Sequence, residues 1–175
     1  MMKSFNSILT HPLDFRFLNK KSDFEELQPF AASIWEQHYA PIIGSDQVSF
    51  MLKKYQSAEA MYDQFSKGYT YALVLYEGQR AGYFAYVSES EEEVFISKLY
   101  IHIDFRRKGI GKKILDFISK QAKEQGFQWV KLSVNKDNVD SIQFYLSNGF
   151  QTIKAQKVAI GNGFYMDDYV MSYLL

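Results

Sequence analysis

The 175-residue chain contains no cysteine, and this absence excludes several kinds of chemistry at once. Without a thiol there can be no disulfide, thiolate metal site, iron–sulfur cluster or cysteine-bound acyl intermediate. Three prolines and ten glycines are too few for a collagen-like or low-complexity chain. No stretch approaches the ~18 uninterrupted apolar residues of a membrane span, and the first residues lack the apolar core of a secretion signal. We therefore expect a cytoplasmic protein that does not bind membranes.

Aromatic residues, by contrast, are abundant, with 15 Phe, 13 Tyr and 2 Trp. They can supply the core of a single domain of this length. The net charge is zero, which argues against general binding of nucleic acid. Residues 1–95 carry 8 basic and 13 acidic side chains, whereas residues 96–175 carry 12 basic and 7 acidic ones. This division would suit ligands of opposite charge for the two halves, but charge alone favours the simpler interpretation of an ordinary solvated surface.

Hydrophobic periodicity predicts alternating helices and strands. A helix is predicted over residues 23–39, with Ser22 or Asp23 as its N-cap and Pro41 after its end. A second helical region falls between residues 46 and 66, and two further helices are predicted over residues 109–125 and 138–147. Predicted strands cover residues 14–19, 69–76, 81–87, 94–103, 129–134, 150–153 and 164–174. The strand–helix–strand unit of residues 94–134 should form a parallel crossover within a mixed sheet, so the fold class is α/β.

The most informative segment joins a predicted strand to a helix and reads L-Y-I-H-I-D-F-R-R-K-G-I-G-K-K over residues 99–113. Gly109 and Gly111 remove side chains at the start of the helix, where unpaired amides and the helix dipole attract phosphate. A Rossmann fingerprint would need a third glycine where Ile114 stands, and a Walker A loop would need Ser or Thr after Lys112. The pattern that remains is Arg-x-x-Gly-x-Gly, beginning at Arg106.

A second motif lies further along the chain, at the next predicted helix. It reads Asn-x-x-Ser-x-x-Phe-Tyr from Asn138 to Tyr145 and is followed by Gly149-Phe150. In this order and these structural positions, over roughly residues 70–175, the two motifs resemble the GCN5-related N-acetyltransferase (GNAT) superfamily. Residues 163–168, G-F-Y-M-D-D, also resemble the PaiA-type bacterial polyamine acetyltransferases.

This resemblance implies a single N-acetyltransferase domain with a mixed, mostly antiparallel sheet flanked by helices. Residues 1–68 would form the acceptor side and residues 69–175 the acetyl-CoA-binding core. Acetyl-CoA would be the co-substrate, and no metal would be required. The implied cofactor-binding residues follow the central strand, the glycine loop and the second motif: Leu99, Tyr100, Ile101, Arg106, Arg107, Lys108, Gly109, Ile110, Gly111, Lys112, Asn138 and Ser141.

The resemblance also assigns catalytic roles. Tyr145 would donate a proton to the leaving thiolate, although helical spacing alone would make it a core residue beside Ile142 and Leu146. The amide of Ile101 would stabilise the oxyanion. The base stays open, because Ser97 stands where some polyamine-type relatives carry Glu. Candidates for the base are Glu93, His102 and a chain of waters.

The predicted acceptor is a small cationic amine such as a polyamine, with a protein N-terminus or lysine as the alternative. This hypothesis depends on acids in the first half of the chain, for example Glu26, Glu36, Asp46 and Glu59. A different alternative is a non-catalytic acyl-CoA-binding regulatory module. A homodimer stays open. The remaining candidates are first interpreted as structural. Trp35 and Tyr39 are expected in the core, and Asp167-Asp168 in a solvated turn. His11 and His38 do not have the spacing of metal ligands.

Overall fold

A computed structural model describes residues 12–175, so His11 lies outside the described part of the chain. The strands are β1 Leu13–Phe17, β2 Thr70–Tyr76, β3 Gln79–Ser88, β4 Glu93–Ile101, β5 Trp129–Asn135, β6 Gln151–Gly161 and β7 Phe164–Leu174. The helices are α1 Lys21–Ile43, α2 Ser45–Tyr55, α3 Ala58–Ser66, α4 Ile110–Glu124 and α5 Val139–Ser147, with a short 3₁₀ turn at Ile103–Phe105. No helix within residues 12–175 is long and apolar enough to cross a membrane.

The strands form one sheet in the order β1-β2-β3-β4-β5-β7-β6. Within residues 12–175, only β4 and β5 pair in parallel, and α4 connects them, so the predicted crossover and the mixed α/β sheet are confirmed. The other neighbours are antiparallel, including β2 and β3, which form a hairpin around Gly78.

Both faces of the sheet are covered. On one face α4 buries the side of its surface that carries Ile110, Ile114 and Ile118 against β-strand residues, as its periodicity predicts. On the other face α1 and α3 pack over β2 and β3 through an aromatic group around Phe24. A third, smaller cluster joins α1 and α2 to the β6–β7 hairpin around Trp35. The β6–β7 hairpin is therefore in contact with α1 and α2.

The amino-terminal helices differ from the sequence prediction. Helix α1 begins earlier, with Lys20 at the N-cap, because the Asp23 carboxylate accepts the Asn19 and Lys20 amides at 2.9 and 3.0 Å. It also continues through Pro41 to Ile43. An interior proline costs ~3 kcal/mol, but here Ala40 and Ile43 pack against α2, which offsets that cost. The second helical region is two helices, since Ser57 caps α3 by accepting the Ala60 amide at 3.2 Å.

The last hairpin is longer than its sequence suggests. Strand β6 continues to Gly161 instead of ending at residue 153, because it pairs with β7 along almost its whole length. The prediction of a solvated turn at Asp167-Asp168 is wrong. Both residues lie within β7, where Asp168 pairs with Asn135 of β5 and with Gln156 of β6 and is only 6% exposed.

The two parallel strands separate part of the way along their length. Pairing between β4 and β5 ends at Ile96 and Leu132, although β4 continues to Ile101 and β5 to Asn135. At this point a β-bulge interrupts the β3–β4 pairing: Ala85 opposes Lys98 and Tyr86 opposes Ile96, so Ser97 is the extra residue. Because a bulge bends and twists its strand, β4 turns away from β5 and opens a gap between them.

The fold makes a direct prediction for Phe24, which is fully buried and packs against the rings of Tyr62, Phe65 and Tyr71. Phe24→Ala should lower the free energy of unfolding by ~3–5 kcal/mol, because it leaves a cavity between α1, α3 and the sheet. Phe17→Ala is the matched control, since Phe17 is 47% exposed and its loss should cost less than ~1 kcal/mol. Urea denaturation of both variants measures the difference, and equal losses would contradict the described packing.

Candidate active site

Two cavities open from opposite sides of the gap between β4 and β5. One, of about 660 Å³, runs between the glycine loop, the end of β4 and α5; it is called the groove below. The other, of about 380 Å³, lies between α1, α2, the separated strands and the β6–β7 hairpin; it is called the acceptor cavity. They share Tyr39, Leu99, Tyr100, Ser141 and Tyr145 as lining residues. A ligand in the groove and one in the acceptor cavity would therefore meet beside Tyr145.

The glycine loop presents unpaired amides to the groove. Among residues 12–175, the backbone N–H groups of residues 107–112 find no acceptor. Gly109 is the N-cap of α4 with a φ of 74°, a left-handed conformation that glycine adopts without steric cost. Arg107 has a φ of 62°, which is uncommon for a residue with a side chain. Consecutive free amides at a helix N-terminus form a binding site for an anion such as phosphate.

Gly111 has a different reason for lacking a side chain. A Cβ built at Gly111 would lie 2.9 Å from the ring of Phe144, closer than carbon atoms pack. The first turn of α4 therefore rests directly on Phe144 of α5. The glycine of the first motif and the phenylalanine of the second form one contact, and that contact sets the width of the groove.

Three predicted cofactor residues have side chains engaged by other parts of the protein, and two of them, Lys108 and Asn138, do not line the groove. Arg106 donates from Nε to the Ile101 carbonyl at 3.1 Å and lies 3.2 Å from Nδ1 of His38, so it braces the loop against β4 and α1. Lys108 places its ammonium over the rings of Phe105 and Tyr76 and does not line the groove. Asn138 is buried beside His38 and Tyr39 and lines the acceptor cavity only.

Arg106 lines the groove, and so do the remaining predicted residues: Leu99, Tyr100, Ile101, Arg107, Gly109, Ile110, Gly111, Lys112 and Ser141. Lys112 is an exposed cation in the first turn of α4, 2.7 Å from Asp116. From Ser97 onward, the edge of β4 that faces β5 has no strand partner within the described chain. Apart from the Ile101 carbonyl, which accepts from Arg106, the backbone groups on this edge are open to an extended ligand.

Tyr145 lies at the junction of the groove and the acceptor cavity. It is on the buried side of α5, packed edge-to-face against Phe144 and Phe150. Burial, and to a smaller extent the neighbouring Tyr39, raise the pKa of Tyr145 above its usual value. The phenol therefore keeps its proton at neutral pH. The side chain thus occupies the core position expected from helical spacing and also lines both cavities.

The acceptor cavity has aromatic walls and one carboxylate. Trp35 and Tyr39 line it, and the Trp35 indole donates to the Tyr83 hydroxyl at 3.1 Å, which in turn donates to Gln56 at 3.0 Å. Asp168 supplies the carboxylate from β7. Burial, with a smaller contribution from Asp167, raises the pKa of Asp168 to about 6, so the group is mostly ionised at neutral pH. A cation entering the cavity would meet this charge among aromatic faces.

Lys98 is a cavity residue that sequence reasoning missed. Its side chain lines the acceptor cavity, yet the residue is only 3% exposed. Its ammonium donates to Gln64 at 2.7 Å and lies 3.3 Å from the Ser97 hydroxyl, with no carboxylate among its contacts in residues 12–175. The sequence signal was faint: a single lysine interrupts the otherwise apolar alternation of β4.

Several sequence candidates lie outside both cavities. Glu26 is bound to Arg16 and Arg80 on the surface, and Glu36, Asp46 and Glu59 line neither cavity. Of the possible bases, Glu93 forms an ion pair with Lys131 at 2.6 Å, and His102 stacks on Phe30; neither lines a cavity. Residues 12–175 contain no group of three His, Cys, Asp or Glu side chains arranged to hold a metal ion.

The chain is similar to proteins of known class. The spermidine N(1)-acetyltransferase of Thermoplasma acidophilum is 24% identical over 133 residues, which are 74% of this chain and 83% of that protein. The structure of PaiA N-acetyltransferase from Thermoplasma acidophilum in complex with coenzyme A superposes with a TM-score of 0.77 at 20% identity, covering 93% of this chain and 99% of that one. A GCN5-related N-acetyltransferase from Rhodopseudomonas palustris gives a TM-score of 0.77 at 16% identity, covering 96% and 99%.

The solved structures have the same fold as this chain, and a family model shows the family to which the chain belongs. The model of the acetyltransferase (GNAT) domain matches residues 39–171, which is most of the chain and includes both motifs. This match confirms the resemblance inferred from the glycine loop and the Asn138–Tyr145 motif. The protein belongs to the GNAT family of acetyl-CoA-dependent N-acetyltransferases.

Proposed function

We propose that this acetyltransferase transfers the acetyl group of acetyl-CoA to a primary amine of a small cationic molecule, with a polyamine as the first candidate. The observation that carries the proposal is the position of Asp168, a buried carboxylate in an aromatic cavity that joins the groove at Tyr145. The similarity to a spermidine acetyltransferase supports the same class of acceptor. In this proposal, α1 and α2 belong to the acceptor side, and residues 69–175 hold acetyl-CoA.

Acetyl-CoA would lie in the groove with its pyrophosphate on the free amides of residues 107–112. These amides stand at the positive end of the α4 dipole, and Lys112 adds a full charge beside them. The pantetheine chain would follow the unpaired edge of β4 along Leu99 and Ile101 toward Tyr145. That course would bring the thioester to the junction of the two cavities.

Transfer would be direct, since the chain has no thiol to carry the acetyl group. The acceptor nitrogen attacks the thioester carbonyl carbon, and a backbone amide at Ile101 stabilises the oxyanion, an effect typically worth ~3 kcal/mol. The carbon–sulfur bond then breaks, and the thiolate takes the proton of the Tyr145 hydroxyl. Because burial keeps Tyr145 protonated, the proton is available when the thiolate leaves.

The acceptor cavity suits an amine cation for two reasons. Asp168 attracts the charge, and its burial strengthens the attraction relative to a surface acid. Trp35, Tyr39 and Tyr100 provide ring faces that favour a cation over a neutral ligand. A polyamine can place one ammonium near Asp168 while another of its amines reaches the thioester.

Removal of the Lys112 ammonium should weaken coenzyme A binding. Lys112→Ala is expected to raise the Kd about fivefold, corresponding to ~1 kcal/mol for an exposed cation beside the pyrophosphate. Lys123→Ala, in the last turn of the same helix, is the matched control and should leave the Kd unchanged. Titration calorimetry measures both. Glycine substitutions are poorer probes here, because a side chain at Gly111 would collide with Phe144 regardless of any ligand. Equal effects of the two lysine substitutions would contradict this placement of the pyrophosphate.

Loss of the Tyr145 hydroxyl should slow the chemical step. Tyr145→Phe is expected to lower kcat by ~10²–10⁴-fold while the Kd of acetyl-CoA changes little, because only the proton donor is removed. Tyr173→Phe serves as the control; it removes the same oxygen from a tyrosine that packs on Phe150 outside both cavities. Release of free thiol follows the reaction. A wild-type kcat in Tyr145→Phe would mean that another group donates the proton.

The acceptor class can be tested by substrate preference and by charge removal together. Spermidine and spermine should give a higher kcat/KM than a monoamine or short peptides, and the preference should fall as salt rises because the charges are screened. Asp168→Asn should raise the KM for the polyamines about 10-fold or more, since it removes the buried carboxylate. Glu36→Gln, at a surface acid outside the cavity, should not change it. Peptides that outperform polyamines would reassign the acceptor to a protein amine.

A further inference from the structure

Lys98 is held in an environment that does not favour a charged ammonium. Its Nζ contacts an amide oxygen of Gln64 from α3, the hydroxyl of Ser97 and, at 5.3 Å, the ring of Tyr71 from β2. The Gln64 oxygen also accepts the Tyr71 hydroxyl, so it is shared between two donors. A buried lysine is normally matched by a carboxylate, and none of these contacts is one.

The bulge at Ser97 gives Lys98 access to the acceptor cavity. In a regular strand, neighbouring residues point to opposite faces of the sheet. Here Ser97 is the extra residue opposite Ala85 and Tyr86, and its hydroxyl comes within 3.3 Å of the Lys98 nitrogen. Both residues line the acceptor cavity, two positions and one position before Leu99, where the cavity meets the groove. The bulge thus places a hydroxyl and an amine next to each other on the path to the thioester.

We propose that Lys98, acting through the hydroxyl of Ser97, accepts the proton that the acceptor ammonium must lose before it attacks the thioester. The inference rests on the proposed amine acceptor and adds a proton acceptor to it. An amine with the carboxylate of Asp168 close by stays protonated at neutral pH, so a cavity that attracts the cation also needs a group that removes its proton. Among the candidates from sequence, Glu93 and His102 lie outside the cavity.

The electrostatic surroundings of Lys98 are consistent with this role. Burial lowers the pKa of Lys98 to about 7, so a substantial fraction of the side chain is a neutral amine at neutral pH. The other titratable groups of the cavity are four phenols and one carboxyl group: Tyr39, Tyr55, Tyr100, Tyr145 and Asp168. Burial holds the pKa values of Tyr39, Tyr100 and Tyr145 above the usual value, so these phenols remain uncharged and add no negative charge beside the lysine.

The proton balance closes without any further reactant. The acceptor ammonium gives one proton to Ser97 Oγ while the Ser97 hydroxyl proton passes to Lys98 Nζ, which leaves a neutral acceptor amine and an ammonium at Lys98. The amine then forms the carbon–nitrogen bond. Its second proton replaces the proton that Tyr145 gives to the thiolate. After the acetylated product and coenzyme A leave, Lys98 returns its proton to solvent, so each turnover releases one proton.

The pH profile of Lys98→Met tests the proposal, because Met keeps the length of the side chain without a basic nitrogen. With the best acceptor, wild-type kcat/KM should rise to a plateau with a break near pH 7. Lys98→Met should lose ~10²–10⁴-fold at pH 7.5, and its rate should continue to rise with pH toward the pKa of the acceptor. Lys131→Met, on the neighbouring strand outside the cavity, removes the same charge and should retain the wild-type profile.

A second acceptor separates proton removal from structural damage. A weakly basic amine that is already neutral at pH 7 needs no base, so the difference between wild type and Lys98→Met should largely disappear with it. Ser97→Ala removes only the relay and should lower kcat/KM for the strongly basic acceptor but not for the neutral one. A Lys98→Met variant with the wild-type rate and the wild-type break near pH 7 would overturn the proposal. An equal loss of kcat/KM with both acceptors would also overturn the proposal. The same holds if the break near pH 7 persists in Lys98→Met and is lost in Asp168→Asn.

The protonation of Lys98 can also be measured without any acceptor. Unfolding releases Lys98 to its ordinary pKa of 10.5, so between pH 7 and 10 the unfolded state binds a proton that the native state does not. The free energy of unfolding of the wild type should therefore rise across this range relative to that of Lys98→Met. If polyamines fail as substrates but this rise is present, the acceptor assignment fails and the neutral lysine stands. If the difference in the free energy of unfolding between wild type and Lys98→Met does not change with pH, Lys98 is not neutral in the native state, whichever amine is acetylated.

Discussion

The separation of β4 from β5 is the constraint on which the rest of the site depends. Two parallel strands that paired along their full length would leave neither a free strand edge nor a gap. Here the pairing stops at Ile96 and Leu132, beside the bulge at Ser97. One side of the gap becomes the groove and the other the acceptor cavity, and Tyr145 of α5 lies where the two meet. A single extra residue in β4 thus accounts for the existence of two adjoining cavities.

The contact between Gly111 and Phe144 holds the two motifs together. From the sequence alone, the two residues have separate explanations. Gly111 is part of a predicted phosphate loop, and Phe144 is part of a predicted helix. The structure joins them, because any Cβ at Gly111 would strike the Phe144 ring and push α4 away from α5. Phe144 also packs on Tyr145, so the position of the helix start and the position of the phenol depend on the same ring. Packing against Phe144 is therefore sufficient to require a glycine at position 111, whatever ligand the loop binds.

Local patterns in the sequence were sufficient for the features that depend on neighbouring residues. The α4 helix, the glycine loop and the parallel crossover follow from periodicity and from residues close in the chain. Strand β6 could not be predicted past residue 153, because its K-A-Q-K-V-A segment lacks alternation and is a strand only through its pairing with β7. Asp168 and Lys98 could not be recognised as cavity residues for a similar reason. Their burial depends on helices and strands that are distant in sequence, and a charged residue in a predicted strand is more often on the surface.

The acceptor cavity contains one potential anion, Asp168, and one potential cation, Lys98, and they are not paired with each other. An ion pair between them would neutralise both and leave nothing to attract an amine. Kept apart, Asp168 would draw in an ammonium, and that ammonium would raise the free-energy cost of protonating Lys98, because like charges repel in a site of low dielectric. In the proposed reaction, substrate binding would therefore favour the neutral lysine at the moment when its lone pair is needed. Once the proton had moved, the reacting nitrogen would be neutral and that repulsion would be relieved. The proposed arrangement of charges would thus link recognition of the cation to removal of its proton.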